Sequence, residues 1–261
     1  MSRILDFQVV KKSRYETARA LYIASHKLLY PVETAAIAIA TFHRYACEVG
    51  DEKLQSTNFV VMASSVLFLA GKTTEHFRKI SEVLLVVLRL GGYRYDTTNP
   101  DKYRQTHEAL IEHEQNILRA LSFETHVDLP YAFLLNISKV MDFSCQTVQF
   151  AWGLVNELIL YPEFHRSRST ITPASIAVIA LYIAQQTFQD DSDPKKASQW
   201  WTTFQVSNET LIDLLTLAKG LLILIDHNDD NNGKVTVSTD VDITIFSNNG
   251  KEANKESSVP E

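Results

Sequence analysis

Phe59-Val-Val-Met-Ala-Ser-Ser-Val-Leu-Phe-Leu-Ala-Gly71 and Ile171-Thr-Pro-Ala-Ser-Ile-Ala-Val-Ile-Ala-Leu-Tyr-Ile-Ala184 are the two stretches whose reading decides the fold. Both are apolar nearly all the way round a helix, the pattern of a helix covered on every side rather than laid on a surface. Each is shorter than the roughly 20 residues a membrane-spanning helix needs, so both read as central helices of packed cores. They also match each other. An offset of 114 residues sets 66–70 over 180–184, Ala63 over Ala177, and the possible cap Asn58 over Thr172. Thr172 stands before Pro173, an N-cap followed by proline at the first helical position.

Outward from this pair, apolar spacing and caps place helices at 13–30, 32–49, 56–72, 77–90 and 101–122, and again at 130–142, 145–161, 172–188, 195–204 and 208–225. The last helices of the two sets align at an offset of 104, Thr106 over Thr210, with the connection 91–101 absorbing the difference. The second helices match in pattern only, since the larger offset puts Thr34 over Val148 and no identities follow. The expectation is an all-α chain of two similar five-helix units. The first covers 1–127 with its leading segment and the second 128–225. Residues 226–261 form a tail rich in Asn, Asp and Ser, expected to be disordered.

Composition narrows the functional classes. Apolar residues make up 45% of the 261 and aromatics 10%, enough for real cores, and the length suits two small ones better than one. The formal net charge is −6 and the 25 Lys and Arg are scattered. No basic stripe offers a footprint for nucleic acid, so direct nucleic-acid binding is not expected, and neither is a membrane contact. Cys47 and Cys145 have no CxxC or Cys-His spacing and read as free thiols of a reducing compartment. The N-terminus lacks the pattern of a secretory signal.

Nothing in the chain announces an enzyme. There is no Gly-rich phosphate loop, no GxSxG elbow and no convincing pair of carboxylates, so no catalytic residue is assigned and no cofactor is expected. Asn228, Asp230, Asn232 and Gly233 mimic the first half of an EF-hand loop, but its twelfth position falls on Thr239 instead of a bidentate Glu. His107-Glu108 followed by His113 imitates a zinc-protease helix, yet histidines six apart do not share a face, so no metal is expected. Trp200, Trp201 and Phe204 at helix spacing read as core of the second unit.

Glu114 is the most informative polar residue. The apolar stripe of its helix runs Leu110, Ile111, Ile117, Leu118, Leu121, and Glu114 lies on that stripe. A carboxylate so placed needs a partner, and Lys72 at the end of the first central helix is the candidate. A plain alternative is that Lys72 complements the helix dipole while Glu114 reaches out to the bundle edge. Against it, the equivalent positions of the second unit are Gln186 and Ala218. A purely architectural pair should appear twice.

Leu69-Ala70-Gly71-Lys72-Thr73-Thr74-Glu75 resembles the LAxKxxE stretch of the cyclin box, and Glu114-Gln-Asn-Ile-Leu-Arg-Ala-Leu-Ser-Phe123 resembles its fifth helix, where a glutamate stands nine residues before a phenylalanine. The resemblance covers roughly 13–225 and includes the duplication. Glu75-His-Phe-Arg78-Lys79-Ile80 and Asp128-Leu-Pro130-Tyr131 are more similar to transcription-type cyclins than to cell-cycle ones, and Trp200-Trp201 with Phe204 is most similar to cyclin Q.

This resemblance implies two cyclin-box domains and a non-catalytic regulatory subunit that forms a heterodimer with a cyclin-dependent kinase, a kinase-ten-like one by the same likeness, in the nucleus, with the cytoplasm as a second location. It implies that Lys72 and Glu114 hydrogen-bond kinase backbone beside its αC helix. Glu75, Leu118 and Phe123 complete the kinase-binding set, the last two as apolar contacts. The substrate-docking patch of cell-cycle cyclins is only loosely echoed by Ala18-Arg19-Ala20-Leu21-Tyr22. Two other readings remain: a TFIIB-like DNA-binding factor, which the net charge disfavours, and a helical scaffold in which Lys72 and Glu114 are ordinary.

Overall fold

The computed structural model describes residues 13–92, 100–165, 171–190 and 199–228. In chain order these form α1 (Arg14–Lys27), α2 (Val32–Ser56), α3 (Phe59–Thr73), α4 (Ile80–Leu90), α5 (Pro100–Ala120), α6 (Pro130–Met141), α7 (Cys145–Leu158), α8 (Pro173–Phe188) and α9 (Asn208–Asn228), with 3-10 turns at Pro162–His165 and Trp200–Phe204. Among the described residues there is no strand, and no helix is long and apolar enough to cross a membrane. The chain divides into two compact units, Met1–Leu129 with Asn156–Ile171, and Pro130–Val155 with Thr172–Glu261.

In the first unit α3 is central, packed by α1, α2, α4 and α5. Its start is fixed by Asn58, whose side chain accepts hydrogen bonds from the backbone N–H of Val60 and Val61. In the second unit α8 has the same place, against α6, α9 and the second 3-10 turn. Every residue from Ser175 to Gln185 is buried. Thr172 caps α8 in a reciprocal box with Ser175. The two residues aligned by the 114-residue offset therefore do the same job, satisfying orphan N–H groups at the start of a buried helix.

Several boundaries differ from the sequence expectation, each for a local reason. The helix expected to start at 77 starts at Ile80, because the extended segment before it spends its polar groups elsewhere: Arg78 bonds backbone carbonyls of Leu28, Leu29 and Phe77. The helix expected over 32–49 is followed by a further helical stretch to Ser56, separated from it by Gly50 at φ 77, ψ 162. Only glycine adopts that conformation readily. Arg14, at the start of α1, bridges this break, with its guanidinium on the Ala46 carbonyl at 3.1 Å and the Asp51 carboxylate at 2.7 Å.

The helix expected over 195–204 is a 3-10 turn from Trp200, its earlier residues lying outside the described ones. Trp200 and Trp201 are buried there, their indole N–H groups donating to Gln185 and Asn208, each at 2.8 Å. The described residues 156–165, which a strictly sequential repeat assigns to the second unit, group with the first. There Tyr161 stacks on Tyr15 and His165 on His43, each pair with ring centroids 4.5 Å apart, and His43 Nε2 bonds the Leu160 carbonyl at 3.1 Å. α9 runs to Asn228, so the tail and the EF-hand-like stretch from 229 onward lie outside the described residues.

Candidate functional site

The end of α3 and the second half of α5 are joined by side chain and backbone. Ser65 on α3 donates to the Leu110 carbonyl of α5 at 2.9 Å. Two turns further along α3, Lys72 Nζ lies 2.8 Å and 3.0 Å from the two carboxylate oxygens of Glu114. The pair is lopsided. The Glu114 side chain is 7% exposed, whereas that of Lys72 is 43% exposed, and its ammonium also sits 4.3 Å from the centre of the Phe68 ring. A carboxylate placed on an apolar stripe has thus been satisfied by a cation that stays half in water.

The neighbour of Glu114, His113, is buried against Tyr45, and burial holds its pKa down at about 4, so it adds no positive charge near neutrality. His113 turns inward, and among the described residues no three His, Cys, Asp or Glu side chains come together as a metal site.

Glycine is required just before Lys72. A Cβ on Gly71 would lie 2.5 Å from Tyr30 Oη and 2.9 Å from the His76 carbonyl oxygen. That close approach lets Tyr30 wedge under the end of α3, where burial raises its phenol pKa to about 12 and its hydroxyl faces the Leu67 carbonyl. The chain after Lys72 then turns sharply, with Glu75 left-handed at φ 61, and Thr34 of α2 holds the turn through Thr74 and His76.

Of the residues singled out in the sequence, Lys72 and Glu114 meet, Glu75 is exposed two residues beyond α3, Leu118 is half-buried on α5, and Phe123 is 68% exposed just past α5. Phe123 is also left-handed, at φ 60, following Ser122 at φ 52. A bulky side chain in that conformation is strained, and solvent exposure offers it no packing in return. Sequence reasoning missed Leu29, 81% exposed, and Phe77, 67% exposed. Phe77 had been read as the start of a helix, and no glycine marked the left-handed bend at Leu29.

The site is thus a helical bundle with a central helix, a lysine at that helix's end and a buried glutamate answering it. Residues 3–126 match the family model "Cyclin, N-terminal domain". Among curated proteins the chain is similar to Cyclin-L1-1 of Arabidopsis thaliana, 23% identical over 70% of this chain and 44% of that one. It is similar to Cyclin-K of Danio rerio, 23% over 77% and 47%, and to Cyclin-T1-4 of Arabidopsis thaliana, 26% over 72% and 35%. It thus spans less than half the length of each of these relatives. A chain of the crystal structure of the yeast RNA Pol II CTD kinase CTDK-1 complex shares the fold, with a TM-score of 0.65 and 18% identity, covering 98% of this chain and 80% of that one. The match marks residues 3–126 as similar to a cyclin N-terminal domain, the curated relatives named are cyclins of the L, K and T types, and among the described residues the all-α architecture is the cyclin-box fold.

Proposed function

We propose that this chain is a cyclin that binds and activates a cyclin-dependent serine/threonine kinase by packing on the kinase αC helix, and contributes no catalytic group itself. The observation that carries this reading is the asymmetry of the Lys72–Glu114 pair, a buried carboxylate holding a half-exposed ammonium at 2.8 Å, together with its absence from the second unit, where Gln186 and Ala218 stand at the equivalent places. Half-exposure leaves the ammonium with hydrogen-bonding capacity open to a partner, and the missing counterpart in the second unit is what favours presentation over bracing. Held in this way, the ammonium and carboxylate form a rigid pair of donor and acceptor groups, suited to the backbone at one end of a kinase helix. Glu75, Leu118 and the exposed Phe123 complete the contact set.

The mechanism is positional. A kinase holds ATP phosphates correctly only when its αC glutamate pairs with its β3 lysine, and a rigid helical face against αC stabilises that inward state. The kinase type follows from likeness alone. The similarity to cyclins L, K and T favours a transcription-type kinase, and Trp200-Trp201 with Phe204, by which the sequence resembles cyclin Q, favours a kinase-ten-like partner. A nuclear location goes with that reading. The domain plan consistent with it is two cyclin boxes, 1–127 and 128–225, followed by the polar tail.

The test is a pull-down of the tagged chain from extract of its own cells, wild type beside Glu114→Lys, with bound proteins identified and assayed for kinase activity. A kinase held by wild type and lost by a Glu114→Lys variant of unchanged helicity is the expected result. No kinase in either arm would overturn the reading and return the DNA-binding and scaffold alternatives. Loss of helicity along with binding would make the pair architectural.

A further inference from the structure

Five helical segments in the described residues end with the same device, an N–H bonded five residues back and a left-handed residue just before it. Those N–H groups belong to Tyr30, Phe123, Phe143, Asp190 and Val206. The left-handed residues are Leu29 (φ 55), Ser122 (φ 52), Asp142 (φ 52), Gln189 (φ 51) and Gln205 (φ 63). Such positions favour glycine or a small polar residue and are solvent-facing. Four of the five are polar and exposed, as folding alone would choose. Leu29 is the exception, a large apolar side chain 81% exposed. Neither packing nor backbone preference explains it.

A second exposed apolar side chain is held beside it. The guanidinium of Arg78 donates from Nε to the Leu28 carbonyl at 3.0 Å, from Nη2 to the Leu29 carbonyl at 3.3 Å, and from Nη1 to the Phe77 carbonyl at 3.0 Å, while lying over the Tyr30 ring at 5.5 Å. The carbonyls of Leu29 and Phe77 are therefore within about 9 Å of each other, the span of a guanidinium with a hydrogen bond at either end. Phe77 is 67% exposed. Arg78 thus staples two loops distant in sequence, and each carries one large apolar side chain in water.

We infer that Leu29 and Phe77, set by Arg78 as a positioning residue, form a second docking element for the kinase that engages Lys72 and Glu114. The inference rests on the proposed function. Its partner is argued from proximity: Phe77 follows Lys72 by five residues, so their Cα atoms are at most about 18 Å apart. A standard interface covers about 800 Å² on each side, a patch about 30 Å across. One such patch is wide enough to cover both the charged pair and this rim. Two anchors at separate points also fix orientation, which a single ion pair with its freely hydrated side cannot do.

The kinase recovered with the wild-type chain, made as a recombinant protein, is the probe, and its affinity and dissociation rate are measured with Leu29→Gly, Phe77→Ser, Arg78→Lys and Glu114→Lys. Leu29→Gly is the decisive variant, because it relieves a left-handed leucine while removing the apolar contact. The expected result is an unchanged or higher Tm together with an affinity at least about 10-fold lower, mostly in dissociation. A merely structural residue would lose both or neither. Phe77→Ser should behave alike, and Arg78→Lys, which cannot span three carbonyls, should lose less than either.

Affinity within about 2-fold of wild type for Leu29→Gly and Phe77→Ser, with binding still abolished by Glu114→Lys, would overturn this inference and leave the charged-pair reading intact. Loss in the loop variants with binding retained by Glu114→Lys would keep the rim as a kinase contact and overturn the role of the pair. A wild-type chain that holds no kinase overturns both.

Discussion

The Lys72–Glu114 pair should respond very unequally to loss of its two members. Lys72→Met keeps an unbranched side chain of similar length but strips a 7% exposed carboxylate of a cation bonded at 2.8 and 3.0 Å. Removing one member of a buried pair costs about 3–5 kcal/mol, and because water already reaches the Lys72 side, 43% exposed, the lower end of that range, about 3 kcal/mol, applies. Glu114→Gln keeps the shape and one acceptor oxygen and leaves a lysine that hydrates freely, so it should cost less than about 1 kcal/mol. The double variant buries a neutral amide beside a methionine. It should lie within about 1 kcal/mol of wild type, which makes the coupling energy about 2–3 kcal/mol.

Urea denaturation of the free chain, followed by far-UV circular dichroism at one pH, measures all four corners of the cycle. Equal losses for the two single variants, or a double variant as unstable as Lys72→Met, would refute the reasoning, since either would mean that Glu114 does not depend on Lys72. Kinase binding should follow a different order. Both single variants should lose it to a similar degree, because a partner reads the pair as one unit even though the fold does not.

Two further outcomes test the scaffold. Gly50→Ala should destabilise the chain by about 1–3 kcal/mol although a new Cβ meets nothing within 4 Å, since φ 77 and ψ 162 suit only glycine; a loss under about 0.5 kcal/mol would mean that the break in α2 is not held. Stability should also fall on mild acidification. Burial holds His113 and His165 at about 4 and His43 well below its ordinary 6.5, so all three are neutral when folded and gain protons more readily unfolded. Their contribution is complete above pH 6.5 and is lost as pH falls from there towards 4, by about 2 kcal/mol at pH 5 for each of His113 and His165. A urea midpoint unchanged between pH 7.5 and 5 would contradict the burial.

Much of this was legible because it depends on side-chain identity at helical spacing. Asn58 and Thr172 stand 114 residues apart, and both proved to be caps. Glu114 on an apolar stripe demanded a cation, and the chain offered Lys72 at the end of the neighbouring helix. What stayed hidden depends on backbone. The acceptors of Arg78 are three carbonyl groups, and a carbonyl has no letter in a sequence. The bend at Leu29 was invisible because a leucine carries no turn signal. Phe77 was mistaken for a helix start because an apolar residue ahead of Ile80 and Val83 extends a helical pattern. That 156–165 packs with the first unit was hidden by the repeat itself, which assigns residues by order and not by contact.

The duplication provides an internal control for separating what folds this chain from what it presents. Both units need a covered central helix with a capped start, and both have one, so those residues belong to architecture. Left-handed helix ends also recur, and in the second unit their residues are Asp142, Gln189 and Gln205, choices that water and backbone conformation explain. The first unit departs from that pattern in particular places: a charged pair where its counterpart has Gln186 and Ala218, an exposed leucine in one left-handed bend, and an exposed left-handed phenylalanine just past α5. Each departure costs something in the isolated chain, a desolvated carboxylate or a strained backbone; Lys72 offsets the first, but the exposed side chains of Leu29 and Phe123 gain little packing for the second. All these departures lie at the ends of α1, α3 and α5 or, for Glu114, against the end of α3, where the proposed function puts the kinase. Divergence between repeats is therefore a physical guide to the docking face proposed above, one that needs no relatives and that the variants at Glu114, Leu29 and Phe77 put to trial.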